Sequence, residues 1–220
     1  MDTVAQRLHT LYRKMDHHFG DLRWWPGDTP FEIAVGAILT QNTNWGNVER
    51  AIDRLKAEEL LEPERMYALK EERLAELIRP SGYYNVKAKR LRAFLDFLMT
   101  AYSGSMERMF RQEPGSLREQ LLQVKGIGEE TADSILLYGG EQAIFVVDAY
   151  TRRILTRAGF IDGNCTYGRI QRLFMDNLPA DHRLYNQYHA LLVHTGKHYC
   201  RTRPRCAPCP LRCDDDTCPA

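Results

Sequence analysis

The chain has 220 residues, of which 44% are hydrophobic and 27% charged, with 30 basic against 29 acidic side chains and a net charge of +1. That apolar content fills one or two cores and excludes a globally disordered chain, while the balanced charge excludes a histone-like polycation but not a local basic face. No apolar run reaches the roughly 18 residues that span a bilayer, and Met1-Asp-Thr-Val-Ala-Gln-Arg lacks the basic-then-apolar pattern of a secretory leader, so a soluble, cytoplasmic protein is expected.

Val4, Leu8, Leu11, Met15 and Phe19 recur at steps of three and four and predict a helix over Val4–Phe19. The stretch Arg23-Trp24-Trp25-Pro26-Gly27-Asp28 breaks it, and Pro30 opens a second helix with Phe31, Val35, Ile38 and Leu39 on one face. The same period predicts helices over 48–56, 73–78, 87–102, 116–123, 131–138 and 149–158, punctuated at Pro80-Ser81-Gly82, Gly104 and Pro114-Gly115. The one strand-like run, Ala143 to Val147, is too short and isolated to build a sheet. An all-α fold with short connectors is expected, without low-complexity tracts or solenoid repeats.

Between Leu121 and Asp133 an apolar helix end runs into Gly126-Ile127-Gly128 and then into another helix. Paired glycines permit positive φ and let a foreign backbone come close, and the loop amides with the following helix start form an anion site. This is a helix-hairpin-helix, which grips a DNA phosphate without reading sequence; Lys125, Gly126, Ile127 and Gly128 are its candidate contacts. An ordinary glycine-rich connection is the alternative reading. Asp148, 18 residues after Glu130, closes the Val146-Val147 run and opens a helix. It reads first as an N-cap, and a carboxylate kept ionised there also suits stabilising positive charge or activating water.

Cys165 stands alone, whereas Cys200, Cys206, Cys209, Cys213 and Cys218 fall in the last 21 residues. Such clustering, with a C-x2-C step, reads as a metal site rather than a disulfide scaffold. His194 and His198 stand four apart, a spacing that can bind metal, but beside five cysteines they read, with His182 and His189, as polar helix residues.

The hairpin, Asp148 in its register, the terminal cysteines, Thr40-Gln41-Asn42-Thr43 and Gly82-Tyr83-Tyr84-Asn85 with Lys87-Ala88 together resemble the endonuclease III superfamily of DNA glycosylases over nearly the whole chain. The resemblance implies two helical domains flanking a DNA-binding cleft. Residues 28–138 form a helical barrel ending in the hairpin; 1–27 with 139–220 carry the catalytic Asp148 and a cluster loop over 194–220. It also implies a monomer acting on double-stranded DNA that contains a damaged base. Gln41 and Tyr83 fall where the family places side chains that wedge into the duplex and fill the gap left by the flipped nucleotide. Bifunctional members carry a lysine directly before the Thr-Ala of the hairpin; here that residue is Glu130, whose carboxylate forms no imine. A monofunctional enzyme in which water attacks is therefore expected.

Trp24-Trp25-Pro26, the segment from Gly36 to Thr43, Trp45 and Arg79-Pro80-Ser81-Gly82 are similar to the bacterial 3-methyladenine glycosylase branch. That similarity implies a base pocket of Trp24, Trp25 and Trp45, with Glu130 on its lining, and π faces attract a cationic 3-alkylated purine. Core packing of the tryptophans is the plain alternative. The family holds a four-iron four-sulfur (4Fe-4S) cluster in a C-x6-C-x2-C-x5-C pattern. This chain has Cys200-x5-Cys206-x2-Cys209 and then Cys213 or Cys218; Cys218 is the expected fourth ligand, since Asp214-Asp215-Asp216 reads as an insertion. A four-cysteine zinc site is the rival. Arg201, Arg203 and Arg205, and the stretch of Arg79, Lys87, Lys89, Arg90 and Arg92, read as basic surface for phosphate. Rival functions are a mismatch thymine or uracil glycosylase and a non-catalytic helix-hairpin-helix module.

Overall fold

The computed structural model describes residues 2–212, and all of the regular structure among them is helical. In chain order the helices are α1 (Val4–Phe19), α2 (Pro30–Leu39), α3 (Trp45–Ala57), α4 (Pro63–Tyr67), α5 (Glu71–Leu77), α6 (Tyr84–Tyr102), α7 (Met106–Phe110) and α8 (Pro114–Gln123). They are followed by α9 (Glu129–Ser134), α10 (Ala149–Arg157), α11 (Tyr167–Met175) and α12 (His182–His198). A 3-10 turn, Arg79–Ser81, precedes α6, and α9 widens into a π-helical turn over Ile135–Gly139. The chain divides into two compact units, Pro26–Gln142 and the sequence on either side of it.

In the unit Pro26–Gln142, α2 is the hub. Thr29 accepts the Glu32 N–H through its side chain and Pro30 occupies the first turn, two local signals that start the helix. Phe31, Ala34, Val35, Ile38 and Leu39 are buried on nearly every face, so other helices must surround it. They do: α3, α6, α9 and the π-helical turn pack against it, with Leu91, Phe94, Leu95 and Leu98 of α6 fully buried. Each such side chain contributes about 1.5–3 kcal/mol of transfer free energy.

In the other unit α12 lies against α1 and α10. The Tyr188 hydroxyl donates to the Leu8 carbonyl at 2.9 Å. A Cβ on Gly196 would stand 2.5 Å from Cδ1 of Tyr150, so only glycine lets α12 approach α10 this closely. The run Ala143 to Val147, strand-like in sequence, takes no regular secondary structure and pairs with no strand among the described residues. Phe145 stacks on Phe174 of α11 at 3.7 Å and meets Tyr185 and Tyr188 edge-on at 5.5 and 5.9 Å. The Gln171 amide donates to the Phe145 carbonyl at 2.7 Å, taking the place of a ladder partner.

Helix starts move outward from the predicted bounds. Asn44 caps α3, which begins at Trp45 rather than Val48, and α6 begins at Tyr84 rather than Lys87. The periodicity passed over α4 and α7, which are five residues each, and α11, although Thr166 caps the last of these. No helix among the described residues is long and apolar enough to cross a membrane.

Candidate functional site

The hairpin is α8, a loop through Gly126 and Gly128, and α9. Glu113 accepts the N–H groups of Gly115 and Ser116 and so starts α8. Arg118 of α8 clasps Asp133 of α9 through two bonds, Nε to Oδ1 at 2.6 Å and Nη2 to Oδ2 at 3.1 Å, with Asp133 fully buried. Gly126 takes a φ of +91°, and a Cβ there would meet Arg90 Cγ at 2.4 Å. Lys125 and Gly128 are exposed, but Ile127 is not a surface contact: its side chain is 5% exposed and its N–H donates to the Val124 carbonyl at 3.0 Å. With Val124, also buried, it anchors the loop on its inner side.

Gln41 packs onto this hairpin. Its amide donates to the Gly126 carbonyl at 3.0 Å and the Thr131 hydroxyl at 2.9 Å, and its carbonyl accepts from Arg90. Tyr83 stands out from the turn before α6, 71% exposed, with a left-handed φ of 46°. The basic stretch read from the sequence is partly dissolved. Lys87 is 1% exposed and donates to the carbonyls of Leu39 (2.8 Å) and Ser81 (2.6 Å); burial, then the Arg90 charge, brings it down to about 8. Arg92 is spent on the carbonyls of Tyr67 and Leu69. Arg79 and Lys89 remain exposed.

Asp148 caps α10, its Oδ1 accepting the Thr151 N–H at 2.6 Å. His189 of α12 places Nε2 3.8 Å from the same oxygen. Burial lowers the His189 pKa against the pull of Asp148, which favours a neutral imidazole. By its sequence context His189 reads as a polar helix residue; the signal for its burial is its place on the buried face of α12 with Tyr185, Tyr188 and Leu192. In the same unit Trp24 and Trp25 are half-buried, their rings edge to face at 5.8 Å. Trp45, half-buried at the start of α3, and Glu130, exposed in the first turn of α9, belong to the other unit.

Cys200, Cys206 and Cys209 line one cavity of about 440 Å³, with Leu11, Ile154, Phe160 and Leu211 among its walls. Two arginines of α10 hold this loop: Arg153 donates to the Cys200 and Gly196 carbonyls, and Arg157 Nη1 reaches the Cys200 sulfur at 3.3 Å. Among the described residues no three His, Cys, Asp or Glu side chains converge as a metal-holding group. Cys213 and Cys218, the two candidates for the fourth ligand, lie outside the described residues.

The profile described as "HhH-GPD superfamily base excision DNA repair protein" matches residues 35–180. Over 94% of both chains, the sequence is 45% identical to a Methanocaldococcus jannaschii protein provisionally named a DNA repair glycosylase. It is 30% identical to an endonuclease III of Thermotoga maritima over 83% of this chain and 81% of that protein. Among solved structures it is similar to an H. pylori 3-methyladenine DNA glycosylase bound to 1,N6-ethenoadenine, with a TM-score of 0.77 and 29% identity, covering 89% and 98% of the two chains. The chain belongs to the HhH-GPD superfamily of endonuclease III-like base excision repair DNA glycosylases.

Proposed function

We propose that this chain removes alkylated purines, 3-methyladenine above all, from double-stranded DNA as a monofunctional glycosylase. The observation that carries the choice of base is the likeness to the H. pylori 3-methyladenine enzyme along 89% of the chain. The half-buried Trp24, Trp25 and Trp45 supply the π faces that a cationic base favours over neutral ones. Gln41 and Tyr83 enter the duplex beside the flipped nucleotide, and the hairpin holds phosphate. As the N-glycosidic bond breaks, the base leaves with the bonding pair. Asp148 stabilises the oxocarbenium-like sugar, and water adds at C1′ and passes its proton to the Asp148 carboxylate, leaving an abasic site. Glu130 offers no amine for imine formation, so the strand stays intact.

The donor chemistry of the cysteine loop suits a 4Fe-4S cluster: three cysteines line one cavity, although their side chains do not converge as a metal-holding group among the described residues. Cys200, Cys206 and Cys209 would hold it, with Cys218 proposed as the fourth ligand. When bound, such a cluster staples the loop and takes no part in base release.

Incubation of the full chain with methylated DNA tests the whole reading. Free 3-methyladenine should appear, strands should break only after alkali or heat, and borohydride should trap no protein–DNA adduct. The protein should carry iron and sulfide in about equal amounts. Release of thymine or uracil from mismatches alone, or binding with no base released, would replace this reading with one of its rivals.

Gly128 gives a cleaner test of phosphate contact than Gly126. Its φ is −99° and a Cβ there would meet nothing within 4 Å, so the folded chain does not itself require glycine at this position. Gly128→Ala should leave stability within about 0.5 kcal/mol. It should weaken binding to unrelated duplexes alike, by about fivefold for one lost phosphate contact. Fluorescence anisotropy on two duplexes of different sequence reads this; unchanged affinity would make the hairpin a mere connector.

A further inference from the structure

We propose that Lys87 is a positioning residue for DNA engagement: its buried ammonium, bonded at once to the carbonyls of Leu39 and Ser81, holds the loops carrying Gln41 and Tyr83 at one spacing, so that both side chains reach the same step of a duplex. This rests on the proposed glycosylase reading and adds a residue to it. Lys87 is among the largest fully buried side chains, and its partners are two carbonyls 2.8 and 2.6 Å away. An apolar side chain could fill the same space without the cost of taking a charge out of water, so packing alone does not account for the ammonium. Leu39 ends α2 and Ser81 ends the 3-10 turn. Carbonyls at helix ends lack intrahelical donors and concentrate negative partial charge, which a single cation between them satisfies.

The two attachments are equivalent in the sequence. Gln41 follows Leu39 by two residues, and Tyr83 follows Ser81 by two. Beyond the clamp each tip is fixed separately: Gln41 by the Gly126 carbonyl, the Thr131 hydroxyl and Arg90, and Tyr83 by its left-handed backbone at the head of α6. Lys87 bonds to the base of both loops, whereas Arg90 of the same helix bonds to Gln41. Loops fixed before binding do not have to be ordered during it, which favours the distorted duplex over the undistorted one.

The test compares wild type, Lys87→Met and Lys87→Arg, each as the full chain. The probes are an undamaged duplex and one with a tetrahydrofuran abasic analogue beside 2-aminopurine, whose fluorescence rises on unstacking. Lys87→Met should lose about tenfold in affinity for the abasic duplex, the cost of restoring the spacing between the two loops on binding, and less than about threefold for undamaged DNA. Its 2-aminopurine rise should shrink. Lys87→Arg keeps the charge and two donors and should recover most of the loss. If Lys87→Met retains the wild-type preference, or weakens both duplexes equally, the clamp is overturned and Lys87 only stabilises the fold.

Should Lys87→Met not fold, Lys87→Arg decides. Its longer side chain should narrow the preference for abasic DNA about twofold in wild type and not at all in a protein already carrying Gln41→Ala and Tyr83→Ala. Equal narrowing in both backgrounds overturns the proposal. A wild-type protein with no preference for the abasic duplex would instead remove the wedge reading, and the clamp's function with it.

Discussion

Asp148→Asn should lower the rate of base release at saturating DNA by a factor on the order of a hundred or more, with folding, cysteine-loop chemistry and DNA affinity retained. The substitution separates two roles that one carboxylate holds. As cap, Asp148 needs only an oxygen to accept the Thr151 N–H at 2.6 Å, and the asparagine carbonyl supplies one. As catalyst it must present a negative charge to a sugar that becomes positive, and a preorganised charge of this kind is worth several kcal/mol in the transition state, about a hundredfold or more in rate. A neutral His189, with Nε2 3.8 Å away, leaves that charge uncancelled. Single-turnover release of 3-methyladenine, with a thermal melt alongside, checks this. Near-normal turnover in a stable Asn variant would reduce Asp148 to its cap.

The features legible from sequence are those encoded locally. Cap residues precede α2, α3, α10 and α11, and the apolar period of α1 returns as the buried set Leu8, Leu11 and Met15. The hairpin could be found because a glycine pair is needed wherever backbone must turn and be approached, and Asp148 because a carboxylate after an apolar run is a helix signal. What escaped depends on where side chains go in three dimensions. Composition counts Lys87 and Arg92 as surface charge, yet both are consumed by carbonyls whose need for a donor arises only when α2, α4 and the 3-10 turn come against α6. Ile127 sits among backbone contacts in the motif but points inward, since the loop must be anchored somewhere. His189 became a neighbour of Asp148 only through the packing of α12 on α10, which Gly196 permits.

Arg118→Met should cost the unit Pro26–Gln142 about 2–4 kcal/mol, the usual range for breaking a buried pair, reduced somewhat because Arg118 is itself 23% exposed. Asp133 is fully buried, so the substitution removes a two-point charged clasp from a carboxylate in the core between α8 and α9. Urea titrations of wild type and Arg118→Met check this. Arg118→Met combined with Asp133→Leu should regain much of the loss, because two apolar groups need neither a charge nor its solvation. The hairpin should then separate stability from grip. The double replacement restores the fold but joins α8 to α9 by non-directional packing in place of a two-point clasp. Its DNA affinity should therefore stay below wild type on every sequence, and equal affinity would show that the clasp stabilises the hairpin without setting its geometry.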